Sequence, residues 1–305
     1  MRLSVWPSPE APWEATLAVA RHAEDNGWDG LWFADHFMPN TSDATAIGTP
    51  VLECWSVLAA LAATTTRLRL GSLVAGNTYR HPAVLANLAA TTDRISGGRL
   101  VLGIGAGWQE NEHAAYGIDF SDMKGRMDRL EEACQVIRLL TTQERTTFPG
   151  QFYQLDEAPL APKPIQDPLP LLVGGGGEQR TLRIAARYAN EWNVWGSPDV
   201  FGQKSAVLDQ RCEEIERDPT DITRSTQSMV IFPDPSKPAP ATASGLGKPR
   251  PVIDGSIEQM RDTVGAYVEA GCDELIIPDW NLGIRQRRLD SLDRFATEVA
   301  AEFRS

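Results

Sequence analysis

Asp35 and His36 stand side by side at the end of an apolar run, GLWFADH (30–36). An imidazole there can give or take a proton near neutral pH, and the pair could also contribute to a metal site. A second group of hydrogen-bonding side chains, Asn77, Thr78, Arg80 and His81, closes the run LRLGSLVAGNTYRHP (68–82), where a purely structural strand would finish at a turn. Glycines supply the third feature. Gly105, Ala106, Gly107 and Trp108 follow one another in GIGAGW (103–108), and Gly174, Gly175, Gly176 and Gly177 form an unbroken run. Glycine lets backbone N–H groups come close to a ligand, and a helix start behind such a run makes an anion seat. A helix expected over 178–191 carries Arg180, Arg183 and Arg187, the last two on one face by their i, i+4 spacing. The run therefore reads as a phosphate site; the competing reading is a flexible loop followed by a solvated basic face.

Other chemistries find less support. A metal hydrolase would draw on Asp35, His36, His81 and Asp279, but the four histidines are His22, His36, His81 and His113, with no HxH or HExxH spacing. No metal is expected. There is no GxSxG for a serine nucleophile, and the first turn, VWPSPEAPWE, lacks the GxGxxG of an open dinucleotide-binding sheet. The net charge of −12 argues against binding nucleic acid or an acidic membrane surface. The four cysteines are widely spaced with no CxxC, as expected of thiols in a reducing compartment. The start, MRLSVWPSPEAPW, has no apolar leader-like segment, and no stretch is apolar and long enough to span a bilayer. The expectation is a cytoplasmic protein acting on a small molecule.

The elements that must hold these residues alternate along the chain. Strands are expected over 2–6, 30–36, 67–75, 99–107, 169–177, 192–196, 224–232 and 273–279. Helices are expected over 13–27, 51–65, 82–96, 122–141, 178–191, 199–217, 256–271 and 285–303. Eight strand–helix pairs over 305 residues make a (β/α)8 TIM barrel, read as one domain over 1–305. Two irregular segments interrupt it. Residues 146–168, after the fourth pair, combine proline and aromatics and read as an inserted hairpin or lid loop. Residues 233–255, after the seventh strand, are rich in Pro, Ala and Gly. Both are expected to cover the substrate.

Barrel enzymes act at the C-terminal ends of their strands. Those ends here carry Trp6, Asp35, His36, Val74, Ala75, Asn77, Thr78, the glycines of strands four and five, Trp108, Trp195, Asp279 and Trp280. A rim of aromatics and glycines with few charges suits a broad, flat, conjugated ligand. Tryptophans that merely cap the barrel core are the alternative.

The blocks GWDGLWFADHF, LGSLVAGNTYRHPAVLANLAATTDRISGGRLVLGIGAGWQENEHAAYG and LLVGGGGEQRTLRIAARYANEWN together resemble the bacterial luciferase-like superfamily, and within it the F420-dependent oxidoreductases. The resemblance covers nearly the whole chain and implies a (β/α)8 barrel with an insertion after the fourth pair. It implies a bulge with a non-proline cis peptide at Leu73–Val74, beside Ala75, supporting the ring of the cofactor. Asn77 and Thr78 would meet polar edges of that ring or its ribityl chain. Gly105, Ala106, Gly107 and Trp108 would form its wall, and Gly174, Gly175, Gly176 and Gly177 its phosphate loop, with Asp35 also at the cofactor. The acidic tail of F420 would meet Arg180 or Arg183. His36 is the expected catalytic residue, as proton donor or acceptor or as a fixed donor that orients the ring.

The resemblance thus implies hydride transfer between F420 and a small organic substrate, by a homodimer. The alternatives are an FMN-dependent monooxygenase with a reductase partner and a barrel that binds a flavin or deazaflavin without turnover. The sequence departs from the superfamily's sugar-phosphate dehydrogenases in two places: Trp108 stands where they have a catalytic glutamate, and Asn40 where they have a tryptophan. Glu110 and Glu112 are the nearby carboxylates that could replace the missing acid.

Overall fold

Thirteen strands and nine α-helices are found among residues 1–41, 43, 46–233 and 250–304, which the computed structural model describes. The strands are β1 (Arg2–Trp6), β2 (Gly30–Phe33), β3 (Arg69–Ser72), β4 (Ala75–Gly76), β5 (Leu100–Gly105), β6 (Arg145–Pro149), β7 (Gln154–Pro159), β8 (Leu171–Gly174), β9 (Glu191–Trp195), β10 (Thr223–Gln227), β11 (Met229–Val230), β12 (Val252–Ile253) and β13 (Glu274–Pro278). The helices are α1 (Trp13–Asp25), α2 (Cys54–Thr64), α3 (Pro82–Ser96), α4 (Glu110–Tyr116), α5 (Met123–Thr142), α6 (Thr181–Tyr188), α7 (Pro198–Glu213), α8 (Ile257–Glu269) and α9 (Gln286–Arg294).

The sheet runs β3-β2-β1-β13-β10-β9-β8-β5-β4, and the β3–β5 pairing closes it. Every pairing around the ring is parallel. With β3 and β4 as two halves of one strand, this is the expected eight-stranded (β/α)8 barrel. Helices pack outside through apolar stripes. In α5, Met127, Leu130, Cys134 and Ile137 recur at i+3 and i+4 and are buried. His81 accepts from the Ala83 N–H at the start of α3, Pro82 occupies its first turn, and Gly97 ends it at φ 72°.

The barrel interior is layered. At its N-terminal end Glu274, fully buried, accepts from Ser4 Oγ (2.6 Å), Trp32 Nε1 (2.6 Å) and Arg69 Nη1 (2.9 Å). Burial pushes its carboxyl upward, but Arg69, Arg2 and the two neutral donors outweigh this and hold it below the usual carboxylate range. Such a charge is tolerable only because it is fully paired. Above it lie Trp32, Val101, Leu172 and Ile276, then Leu73, Val74, Trp6, Trp195 and Trp280 towards the mouth.

Some expected boundaries change. The third strand is broken between Ser72 and Ala75, and α4 was not anticipated. The helix expected directly after the four glycines starts only at Thr181 and ends at Tyr188, so a turn over 178–180 intervenes. The closing helix becomes α9, one π turn (Phe295–Val299) and one 3-10 turn (Ala301–Phe303). The insertion over 146–168 is the antiparallel hairpin β6–β7. Glu132 of α5 fixes its tip by accepting from the N–H groups of Gln151, Phe152 and Tyr153. Most of the second segment, expected over 233–255, lies outside the described residues. Among the described residues no helix is long and apolar enough to cross a membrane.

Candidate active site

The break in the third strand is a one-residue bulge. Gly71 pairs with Val101 and Ala75 with Ile104, so three residues of one strand, 72–74, face two of the other, 102–103. The Leu73–Val74 peptide is cis, as the resemblance implied. Side chains normally alternate across a strand. Here Leu73 and Val74 both belong to the cluster inside the barrel, and Ala75 already belongs to the cluster outside it. Ser72 mends the interrupted ladder: its hydroxyl donates to the Gly103 carbonyl (2.8 Å) and accepts from the Gly103 N–H (3.1 Å).

The glycines that flank this bulge are explained by Val74. A Cβ at Gly105 would lie 2.8 Å from Val74 Cγ2, and one at Gly174 would lie 2.9 Å from Val74 Cγ1. Strands β4, β5 and β8 thus form one shallow wall on which Val74 sits, with no room for another side chain. Gly107, at φ 80°, adopts a conformation open to glycine and closes against Thr78.

His36 lies just past β2. Its Nδ1 is 2.8 Å from Glu112 Oε1 of α4. Glu112 is fully buried and also accepts from the Phe37 N–H (2.8 Å) and from the Tyr79 hydroxyl. Burial pushes its carboxyl up, yet His36, the Phe37 N–H and Tyr79 together hold it below the ordinary range. Burial, reinforced by the bond to Glu112, pushes the Tyr79 hydroxyl far up, so it remains a donor. An ionised carboxylate can only accept, so the proton must sit on His36 Nδ1. Nε2 then has no partner among the described residues, and the side chain is 21% exposed. Trp108, 52% exposed, stands edge-on to the imidazole at 5.4 Å between ring centres. An open cleft of about 460 Å³ continues past Trp108 along Asn40, Thr41, Gln109, Glu110 and Asn111.

Several expected cofactor residues have other work. Asp35 is 1% exposed; Arg80 grips it through Nη1 (2.7 Å) and Nη2 (3.1 Å), and the Gly76 N–H donates to it (3.1 Å). It therefore anchors the end of the third strand, with both oxygens already engaged by the protein. Ala75 is fully buried behind the wall. Thr78 Oγ1 pairs with His113 Nε2 (2.7 Å), whose Nδ1 donates to the Gln109 carbonyl (2.6 Å). Asn77 donates to the Tyr153 hydroxyl (3.3 Å), while its Oδ1 is buried without a partner.

At the four-glycine run the Gly175 N–H donates to the Asn193 carbonyl (2.8 Å), and the N–H groups of Gly176 and Gly177 meet no acceptor among the described residues. These two are free for an anion. The arginines are not: Arg180 pairs with Asp128 (2.5 Å), Arg187 with Glu131 (2.9 Å) and Arg183 with Glu214 (4.0 Å). They form the solvated basic face that was the competing reading. Asp279 is likewise used, by the Ser8 N–H and by Arg288 Nη1, both at 3.0 Å. Among the described residues no group of three His, Cys, Asp or Glu could hold a metal ion.

Two features were missed in the sequence. Helix α4, bounded by Gly107 and Gly117, was passed over, although Gly117 is a good helix stop and brings Glu112 onto an inward face. Arg250 was also missed. It lies over Trp195 and Trp280, and no motif announces it.

Comparison with known proteins agrees with this geometry. Residues 1–270 match the family model described as luciferase-like monooxygenase. An F420-dependent glucose-6-phosphate dehydrogenase of Kineococcus radiotolerans is 39% identical over 160 residues, which are 52% of this chain and 45% of that one. An F420-dependent hydroxymycolic acid dehydrogenase of Mycobacterium tuberculosis is 30% identical over 243 residues, 77% of this chain and 66% of that one. This chain spans about half the length of the glucose-6-phosphate dehydrogenases it matches. Among solved structures, an F420-dependent secondary alcohol dehydrogenase in complex with an F420–acetone adduct superposes with a TM-score of 0.82 over 98% of both chains, at 20% identity. The F420-dependent tetrahydromethanopterin reductase of Methanopyrus kandleri gives 0.83 over 99% of both, also at 20% identity. At that identity the two structures speak for the fold alone.

Proposed function

Since this chain belongs to the luciferase-like monooxygenase family, we propose that it is an F420-dependent oxidoreductase that moves a hydride between the deazaflavin F420 and a small organic substrate. The observation that carries the reading is the His36–Glu112 pair, held 2.8 Å apart at the barrel mouth with His36 Nε2 unpartnered among the described residues. F420 is preferred to FMN because the two curated relatives described above are F420-dependent.

The residues present fit such a group. Val74, with the close-packed glycines Gly105 and Gly174 behind it, offers a flat apolar seat for a tricyclic ring. The free N–H groups of Gly176 and Gly177 suit a phosphate, and the orphaned Asn77 Oδ1 is an acceptor for a ligand N–H or O–H. F420 supplies, when bound, a carbon that gives or takes hydride and reacts poorly with oxygen. The protein's share is then to orient, exclude water and manage one proton. His36 performs the last task at Nε2, giving a proton to the substrate oxygen in reduction and taking it in oxidation. Glu112 fixes the tautomer by accepting from Nδ1, which leaves Nε2 facing the mouth. Tyr79 and the Phe37 N–H hold Glu112 in place. Trp108 shields the outer side of the imidazole.

Titration of the purified protein with F420 and with FMN, followed by tryptophan fluorescence, tests the reading. Quenching by micromolar F420, with FMN at least tenfold weaker, is expected. No response to F420 well above that concentration refutes it, and tighter binding of FMN transfers the assignment to a flavin enzyme with a reductase partner.

A further inference from the structure

The side of the mouth across from the wall of β4, β5 and β8 carries polar groups that nothing among the described residues satisfies. It is formed by the ends of β9, β10, β13 and β1. Gln227 is level with Trp195 on one side and Ile276 on the other, so it shares their inward register. It is 2% exposed, and its Oε1 is buried without a partner. Trp6, 6% exposed, and Trp280 pack with ring centres 4.8 Å apart, and the indole N–H of each is also buried and unpartnered. Buried polar groups are paired in the great majority of cases, so three orphans in one place point to an absent ligand.

Arg250 stands over the same cluster. Its guanidinium carbon is 5.0 Å from the Trp195 ring centre and 4.7 Å from that of Trp280. It is half-buried, and no carboxylate among the described residues forms an ion pair with it. Asp279, the residue before Trp280 in sequence, is occupied by Arg288 and the Ser8 N–H. Burial pulls its pKa down with no acidic neighbour to offset the effect. Arginine presents a rigid donor fork that matches a carboxylate, and here its planar face is already fixed by two indoles.

We infer that this side of the mouth is the substrate subsite and that it selects a molecule with a flat apolar body and a carboxylate, the body lying on Trp6, Trp195 and Trp280 and the carboxylate on Arg250. The indole N–H groups would donate to ligand oxygens, and Gln227 Oε1 would take a ligand O–H or N–H. The inference rests on the proposed F420 reading only in calling the ligand a substrate. A carboxylate could also come from the glutamate tail of F420, and the test separates the two sources.

The wild-type protein and the Arg250→Gln and Arg250→Lys variants are titrated with phenylacetate and with phenylacetamide, with and without F420, by tryptophan fluorescence. F420 and its ring–ribityl fragment, which lacks phosphate and glutamates, are titrated in parallel. In the wild type, phenylacetate should bind more tightly than the amide. Arg250→Gln should weaken it about 10- to 100-fold, the range of a charge-assisted pair, with Arg250→Lys intermediate and the amide and F420 unchanged. Equal affinity for acid and amide, or no effect of Arg250→Gln on the acid, overturns the inference. Loss of F420 affinity with the fragment unaffected assigns Arg250 to the cofactor tail and also overturns it. If F420 fails to bind while phenylacetate binding still depends on Arg250, the subsite stands and the F420 reading falls.

Discussion

Glu112 Oε1 lies 2.8 Å from His36 Nδ1, across 76 residues of sequence. One carboxylate of a short helix therefore decides which nitrogen of the imidazole carries the proton and which faces the mouth. Glu112→Gln keeps the size but removes the charge and the obligate acceptor. Turnover should fall about 10- to 100-fold while F420 affinity changes less than twofold, since the loss of an ionic partner of the histidine is of that order. An equal loss in both quantities, in steady-state kinetics beside fluorescence titration, would make Glu112 a binding residue.

His36→Ala removes the proton carrier itself. General acid–base catalysis contributes about 10²- to 10⁴-fold, and the loss should fall within that range in kcat with little change in F420 binding. If turnover survives, the proton moves by another route, and His36 only orients the ring.

Glu112 also makes stability depend on pH. Its folded pKa is lowered from 4.5 by His36, the Phe37 N–H and Tyr79, which together overcome the opposing effect of burial. The ionised form is thus preferred in the folded state. The stabilisation is full above about pH 4.5 and is lost as pH falls through the lower folded value. Thermal melts of the wild type and of Glu112→Gln should differ by a constant amount from neutral pH down to about 4.5 and converge below it. A gap that widens on acidification contradicts the sign.

Gly105→Ala would put a methyl 2.8 Å from Val74 Cγ2. Overpacking of this kind costs about 1–3 kcal/mol, and F420 binding should weaken as the wall is displaced. Val74→Ala removes the atom that clashes. In a denaturation double-mutant cycle the pair should therefore be less destabilised than the sum of the singles. Strict additivity would show that Val74 is not what keeps residue 105 a glycine.

Arg80→Met leaves Asp35, 1% exposed, with the Gly76 N–H alone. Breaking one side of a buried ion pair costs about 3–5 kcal/mol. Because Asp35 anchors the end of the third strand, urea unfolding should show that loss together with weaker F420 binding. A cost under about 1 kcal/mol would place the pair among surface bridges.

The strand and helix order was legible in the sequence, and so was closure into a barrel, because burial on one face writes its period into the chain. The residues at each strand end followed from that order. So did the bulge at Leu73–Val74, through resemblance. What local pattern does not contain is the partner of each polar group. Asp35 and His36 are neighbours in sequence, yet one turns outward, towards Arg80 and the start of α2, and the other towards the mouth, because successive residues at a strand end point to opposite sides. Arg180, Arg183 and Arg187 looked like phosphate ligands until α5 and the turn after α7 supplied their carboxylates. Glu112 was visible only as one of two carboxylates that could replace a missing acid until α4 folded it against His36, and Arg250 had no role until closure of β9 against β10 and β13 gathered two tryptophans beneath it. The sequence by itself determined the eight strand–helix units of the barrel and their order. Only the closed barrel decided which charges are paired and which are left facing a ligand, since that depends on contacts between residues tens to hundreds of positions apart.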